Sequence, residues 1–327
     1  MHITLSTVAG SMETDTGQRT STLLKQIESL KSLDVKALFN EDINEAELIL
    51  GEADLLSKFK KVMDRDEEEN FDRKKMHTDN LATFLGIKDI NVVIVSEIDT
   101  EIIFNCLIKG KNIINLNAVS EVTLGLIFKS LANSNNVIYS VGEGDEPAST
   151  LELVNFCRKL ELDIICAGKG KNNPLNTYCT PDDFKQTFKE VSKNKNVKKG
   201  IEVSPRNIAS FVDGTKTMLE MAILSNATGI PIDKAGMHGP RINLTDLTNT
   251  FKLKREGGIL SSLPVIDYVI GDIAPGVFVV FTSEQKSIIN ELQYLKMGDG
   301  PNFVLYKPYH LGNIESPLSI YDVMLEK

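Results

Sequence analysis

The sequence predicts an α/β protein in which a doubly wound parallel sheet is followed by a second, mixed α+β domain. Two observations carry that expectation. Through residue 165, unbroken apolar runs such as Asn91–Val95 alternate with amphipathic stretches, the pattern of a parallel sheet covered on both faces. From about residue 168, glycine, proline and polar residues cluster in Gly168–Pro174, Asp213–Lys216, Gly236–Pro240, Gly257–Gly258 and Gly298–Pro301. The length of 327 residues suits two domains, and the change of texture puts them at 1–165 and 166–327.

The elements follow in order. His2–Ala9 reads as a strand, and Thr22–Leu30 places Leu23, Leu24, Ile27 and Leu30 on one helix face. Val35–Phe39 is a strand, Glu45–Leu56 a helix and Asn91–Val95 a strand. Then come helix Thr100–Lys109, strand Asn112–Leu116, helix Leu124–Ala132, strand Val137–Val141, helix Ala148–Leu160 and strand Asp163–Ala167. With right-handed crossovers this is a Rossmann-type nucleotide-binding sheet. The mixed-charge stretch Lys58–Lys75 and the basic Lys193–Lys199 read as solvated segments. In the second half, Thr215–Ala227 is a helix, and Val277–Phe281 and Phe303–Tyr306 are strand-like. Met218, Met221 and Phe278 read as packing.

Composition removes several function classes. An apolar fraction of 42% with 25% charged residues is ordinary for a globular chain. A net charge of −9 speaks against a nucleic-acid or anionic-membrane partner. Four cysteines without a C-x-x-C pair read as reduced thiols, and four histidines at unrelated spacings give no zinc signature. With neither a signal-peptide pattern nor a long apolar run, the expectation is a cytoplasmic protein acting on a small molecule.

Ligands of open parallel sheets bind beyond the carboxyl ends of the strands, so the loops there hold the candidates. The turn after the first strand offers Gly10 and Gly17 where a G-x-G-x-x-G would let backbone approach a pyrophosphate. Asn40 follows the second strand, where an acid commonly binds ribose, and leaves NAD against NADP open. The loop Gly142-Glu143-Gly144-Asp145-Glu146-Pro147 and the loop Gly168–Pro174 supply glycines for close backbone approach. Lys169 and Lys171 suit a carboxylate or phosphate. Asp213-Gly214-Thr215-Lys216 leads into a helix on which Lys216 and Glu220 sit one turn apart. Such a lysine could hold a substrate oxygen and pass its proton while a carboxylate orients it. His238 and His310 are read as turn histidines, with an acid–base role as the alternative.

At these loops the sequence resembles a known family. Gly168–Pro174, Ser210–Glu220 (SFVDGTKTMLE), Gly236–Pro240 (GMHGP), Glu256–Leu260 (EGGIL), Ala274–Val279 (APGVFV), Tyr294–Pro301 (YLKMGDGP) and Leu305–Leu311 (LYKPYHL) look like the homoserine-dehydrogenase-like NAD(P)-dependent oxidoreductases. That family usually carries a C-terminal SAF domain and includes the deoxyxylulose-phosphate reductoisomerase-like enzymes. Here the chain ends at Lys327, about where a SAF domain would begin. The resemblance implies a Rossmann domain, a catalytic and dimerisation domain, a homodimer, and NADP or NAD with NADPH favoured. It implies cofactor and substrate contacts at Gly142, Glu143, Gly144, Glu146 and Pro147. Asn117 falls in the cofactor set, but Ala118 replaces the lysine of the Asn-Lys pair found in true homoserine dehydrogenases.

The expectation is therefore an NAD(P)H-dependent oxidoreductase acting on a small, anionic carbonyl or alcohol, with reductoisomerisation of a phosphorylated ketose of isoprenoid precursor synthesis as the special case. Lys216, Asp213, Glu220 and Glu146 are the catalytic set, and Lys169, Lys171, Asn172 and Glu143 contact substrate. Gly10, Gly17, Asn40, Asn117, Gly142, Gly144 and Pro147 hold the cofactor. No dedicated metal site is expected, though a rearrangement would call for a divalent ion, with Glu143, Asp145 and Glu146 as oxygen ligands. Homoserine dehydrogenase-type activity and a non-catalytic nucleotide-binding relative are the alternatives.

Overall fold

A computed structural model of the protein describes residues 2–6, 14–63, 75–87, 90–96, 99–185 and 204–325. Gly10 and Lys193–Lys199 lie outside the described residues, as does the middle of Lys58–Lys75. The chain divides into two units. The first comprises Met1–Glu143, Asp182–Asn207 and Gly312–Lys327, and the second Gly144–Pro181 and Ile208–Leu311. The division expected at 165/166 falls inside a strand of the second unit, and the last helix returns to the first.

The first unit runs β1 (His2–Ser6), α1 (Thr14–Ser29), β2 (Asp34–Phe39), α2 (Ile43–Glu52), β3 (Phe59–Lys61), β4 (Lys75–Thr78), α3 (Leu81–Gly86), β5 (Val92–Val95), α4 (Thr100–Ile108), β6 (Asn112–Asn115), α5 (Ala118–Ser134) and β7 (Tyr139–Val141). All neighbouring strands are parallel, in the order β3-β4-β2-β1-β5-β6-β7. Alternation decides which layer each side chain enters. Val92 and Ile94 join Leu23, Leu24, Ile27 and Leu50 on one face, and Val93 and Val95 join Phe84, Ile103 and Phe128 on the other. Both faces are covered, as the unbroken apolar strands require.

The second unit runs α6 (Glu146–Lys159), β8 (Asp163–Lys171), α7 (Pro205–Val212, which joins this unit from Ile208), α8 (Thr215–Thr228), β9 (Val265–Ile270), β10 (Val277–Thr282), α9 (Lys286–Tyr294) and β11 (Phe303–Lys307). A final helix, α10 (Ser316–Leu325), packs Ile320 and Val323 into the first unit. The second sheet has the order β11-β10-β8-β9, with β8–β9 parallel and the other pairs antiparallel. Two expectations change here. The strand at Asp163 belongs to this mixed sheet, not to the doubly wound one, and it continues to Lys171 through residues read as a loop. Gly168 and Gly170 explain the extension. A Cβ at Gly168 would lie 1.6 Å from the Asp267 carbonyl oxygen of β9, so the paired strands need glycine there.

Strand alternation then puts Ala167, Lys169 and Lys171 on one face and Cys166, Gly168 and Gly170 on the other. Ala167 packs with Val154 and Cys157 of α6 and Met221 and Leu224 of α8, so both lysines project from the helix-covered face. Cys166 and Phe278 pack with Phe251, Leu260 and Ile273 beneath. Met221 and Phe278 are fully buried, as expected of core residues. Among the described residues, no helix is long and apolar enough to cross a membrane.

Candidate active site

Helices α6 and α8 begin beside the carboxyl end of β8, and their first two turns carry the polar residues. Asp145 caps α6, its Oδ1 accepting the Ala148 N–H at 3.0 Å, with Pro147 in the first turn. Gly214 starts α8 with φ 90°, a left-handed value that suits glycine. The Asp213 side chain shapes this turn by accepting the Thr215 N–H at 2.7 Å. Among the described residues no ion pair joins Asp213 to Lys216, so its expected orienting role is not seen.

Four of the predicted residues converge. Lys169 Nζ donates to Glu146 Oε1 at 2.6 Å and also to Glu220 Oε2. Lys216 Nζ lies 2.9 Å from Glu220 Oε1 and 5.6 Å from the centre of the Phe211 ring, within cation–π range. Lys169 is buried at 5% exposure. Burial alone would lower its pKa, but the two carboxylates outweigh it and hold it raised, so Lys169 stays charged. Burial likewise opposes ionisation of Glu146, and Lys169, His310 and Lys216 overcome it, holding the carboxyl well below its ordinary range. Lys169 is expected from the sequence to contact a substrate anion; in the structure two of its three ammonium protons go to carboxylates of its own chain.

Lys171 is also buried, and its ammonium donates to the Phe211 carbonyl. Burial and the Lys169 charge lower its pKa. Asn172 is exposed beyond the strand end, and the structure does not bring it into the cluster. Glu143 belongs to the first unit, where its N–H donates to Ser319 Oγ at 2.7 Å. His310 was not among the predicted catalytic residues, yet its Nε2 stands 3.7 Å from Glu146 Oε2. The sequence reads it as a turn histidine, with an acid–base role as the alternative. His238 is a clasp within its turn. Its Nδ1 lies 2.8 Å from buried Asp267 and its Nε2 3.3 Å from Asp233.

In the first unit Asn40 is buried at the end of β2, and its Oδ1 accepts the Asp42 N–H at 2.8 Å. Asn117 caps α5, accepting from Val119 and Ser120 at 3.0 and 2.9 Å. Gly17 lies in α1, and Gly142 is packed so closely that a Cβ would fall 2.0 Å from Leu116. Gly144 has φ 106°. Among the described residues no three His, Cys, Asp or Glu side chains converge to hold a metal ion. Glu146, of the trio considered for that role, is paired with Lys169.

Burial, helped by the Glu220 and Glu146 charges against the Ala148 hydrogen bond and Lys216, pushes the Asp145 carboxyl up to about 6. Between its ordinary value near 4 and this raised one, the folded chain binds more protons than the unfolded one. Stability therefore falls as pH rises through that window. Asp145→Asn keeps an equally good cap and removes the buried charge. The variant should be more stable than the parent at pH 8 by on the order of 2 kcal/mol, and the gain should vanish below about pH 4. Paired thermal melts at the two pH values check this; an equal effect at both would refute it.

Comparison with known proteins bears on what the second unit is. The model of the family described as oxidoreductase DRL, catalytic domain, matches residues 144–316, just over half of the chain. The chain belongs to that family. Its second unit is thus an oxidoreductase catalytic domain, and the match begins where that unit begins. No curated protein matches the chain. Among solved structures, it is similar to a hyperthermophilic archaeal homoserine dehydrogenase mutant in complex with NADPH. The identity is 12% and the TM-score 0.48, covering 100% of this chain and 99% of that one. It is similar to the 1-deoxy-D-xylulose 5-phosphate reductoisomerase of Zymomonas mobilis in complex with NADPH at 11% identity and TM-score 0.41, covering 71% and 59%. It is similar to the biliverdin reductase of Synechocystis in complex with biliverdin and NADP+ at 12% identity and TM-score 0.31, covering 54% and 49%. The chain thus spans only about half to three-fifths of the length of the last two.

Proposed function

We propose that the protein is an NAD(P)H-dependent oxidoreductase that reduces a small, polar, anionic carbonyl compound, with Lys216 as proton donor. The observation that carries this reading is the Lys216–Glu220–Lys169–Glu146 cluster. Its inner cation is buried and fixed, and its outer one is half-exposed. The first unit fits a dinucleotide. Its strand order changes direction between β1 and β5, the switch point where such ligands bind. Residues at the carboxyl ends of β1, β2, β5 and β6, with Asn40 and Asn117 among them, would hold it. The nicotinamide supplies the hydride.

The protein's own residues handle the proton. Lys216 Nζ, steadied by Glu220 Oε1 and the Phe211 ring, donates a hydrogen bond to the substrate oxygen. It gives up its proton as negative charge develops there. Lys169 holds Glu220 in place from its other oxygen. Lys171, whose ammonium is paired with a backbone carbonyl, is the cation nearest to hand for a substrate carboxylate or phosphate. A phosphorylated ketose is the leading substrate class, and a homodimer the expected assembly. No step is assigned to a metal.

NADPH is the first cofactor to test, since Asn40 stands where a carboxylate would repel a 2′-phosphate. Titration with NADPH and NADH, followed by nicotinamide fluorescence, is the deciding experiment; the chain has no Trp, so protein emission interferes little. Micromolar binding is the expected result. No binding of either up to about 1 mM, a free energy of only about −4 kcal/mol, would favour a non-catalytic relative.

A further inference from the structure

A helix on the surface of a domain normally turns its charged residues to water. Helix α5 does not. Its core side is formed by Gly125, Phe128 and Ala132, and among its exposed positions only Lys129 is charged. That ammonium turns aside to the Tyr139 carbonyl at 3.4 Å. By contrast, the exposed positions of α6 include Glu152, Arg158 and Lys159. Val119, Thr123, Leu126 and Ser130 follow one another at spacings of four, three and four, with Ile127 and Ser134 alongside, so the six form one outward stripe. Leu126 and Ile127 at its centre are 65% and 59% exposed. The hydroxyls in the stripe are withdrawn from the surface. Thr123 donates to the Val119 carbonyl and Ser134 to the Ser130 carbonyl at 3.0 Å, each one turn back along the same helix.

We propose that this stripe is an interface between two copies of the chain, paired as antiparallel α5 helices about a two-fold axis that passes between Leu126 and Ile127.

Symmetry and charge both select a second copy as the occupant. In a two-fold contact the same surface serves both partners, so residue i meets j and j meets i. An axis between Leu126 and Ile127 sets Leu126 against Ile127 of the second copy, Thr123 against Ser130, and Val119 against Ser134. The large side chains thus meet at the centre. Thr123 and Ser130, being small, let the helix axes approach on either side, and Ser130 and Ser134 border a depression on α5 that receives Val119. Charge points the same way. Two copies that each carry a net charge of −9 repel one another, and an uncharged face is where that repulsion is weakest. The same face offers a charged partner nothing to hold. A standard interface covers about 800 Å² of each partner. One pair of helices about 25 Å long covers less, so the association is micromolar rather than nanomolar.

Sedimentation equilibrium of the full chain from about 1 to 500 μM, a span that covers weak and moderate affinities, tests this. The parent should show one reversible association step with a micromolar Kd. That step runs from monomer to dimer, or from dimer to tetramer where copies already pair through the second unit. Leu126→Glu alone and Ile127→Lys alone should each weaken it at least about a hundredfold, because the axis buries each new charge twice and unpaired. Combined, the two substitutions set opposite charges against each other across the axis. Association should then return to within about tenfold of the parent and become sensitive to salt, which the parent's is not. Both side chains point to water, so the variants keep the fold, which circular dichroism checks. Single variants that associate like the parent, or a double variant no better than the singles, overturn the proposal. A parent with no association step also overturns it and leaves the stripe to a different, uncharged partner. The outcome is independent of the NADPH titration.

Discussion

Lys169→Met is expected to destabilise the second unit by about 3–5 kcal/mol, the cost of removing one partner from a buried ion pair. Among the described residues, Lys169 is the only cation that joins Glu146 to Glu220 directly. Without it, both carboxylates face a gap that methionine fills with apolar surface, and Glu220 is left with half-exposed Lys216 alone. The loss is electrostatic rather than a matter of volume, since methionine nearly matches the lysine stem. It should therefore be recovered in large part when the carboxylates are neutralised as well. Lys169→Met combined with Glu146→Gln and Glu220→Gln is expected to regain more than half of the deficit, as neutral replacements of buried ionic groups do elsewhere. Urea denaturation followed by circular dichroism measures both. A single variant within about 1 kcal/mol of the parent would mean that the cluster is no better paired than a surface ion pair.

How much of this was legible in the sequence follows from where charge and burial agree. Val92–Val95 and Asn112–Asn115 were readable as strands because both of their faces are covered, which makes the sequence apolar without a break. Strands β3 and β4 were not readable. Phe59-Lys60-Lys61 and Lys75-Met76-His77-Thr78 carry lysines on short strands at one end of the sheet, and polar residues at an edge look like loop. The same masking hid the end of β8. Gly168-Lys169-Gly170-Lys171 has the period of two that a strand requires, but a lysine is rarely buried, and only the carboxylates of two distant helices make it so. Lys216 and Glu220 could be singled out because a short loop leading into a helix is a local pattern, and Glu146 because its loop resembles one of the family. His310 could be weighed for an acid–base role but not placed in the catalytic set, because what sets it apart is proximity to Glu146, 164 positions away in sequence.

Lys216→Met carries the largest expected effect on turnover. Lys216 is more than a third exposed at its side chain, so losing its pair with Glu220 should change stability by no more than about 1 kcal/mol. Methionine can still lie over the Phe211 ring. NADPH binding should be unaltered, because Lys216 is not among the residues proposed to hold the cofactor. Turnover should fall by about 10²–10⁴, the contribution of a positioned proton donor. It would be measured as NADPH oxidation with the carbonyl substrate found by screening phosphorylated ketoses and hydroxy-amino-acid aldehydes. Lys216→Arg separates charge from proton transfer. Guanidinium keeps the positive charge but does not give up its proton near neutral pH, so it should hold substrate affinity close to the parent while kcat drops nearly as far as in the methionine variant. An arginine variant with parental kcat would reduce Lys216 to an electrostatic anchor. A folded methionine variant with parental turnover would remove Lys216 from the chemistry and leave Lys169, which Glu220 also holds, as the group to test next.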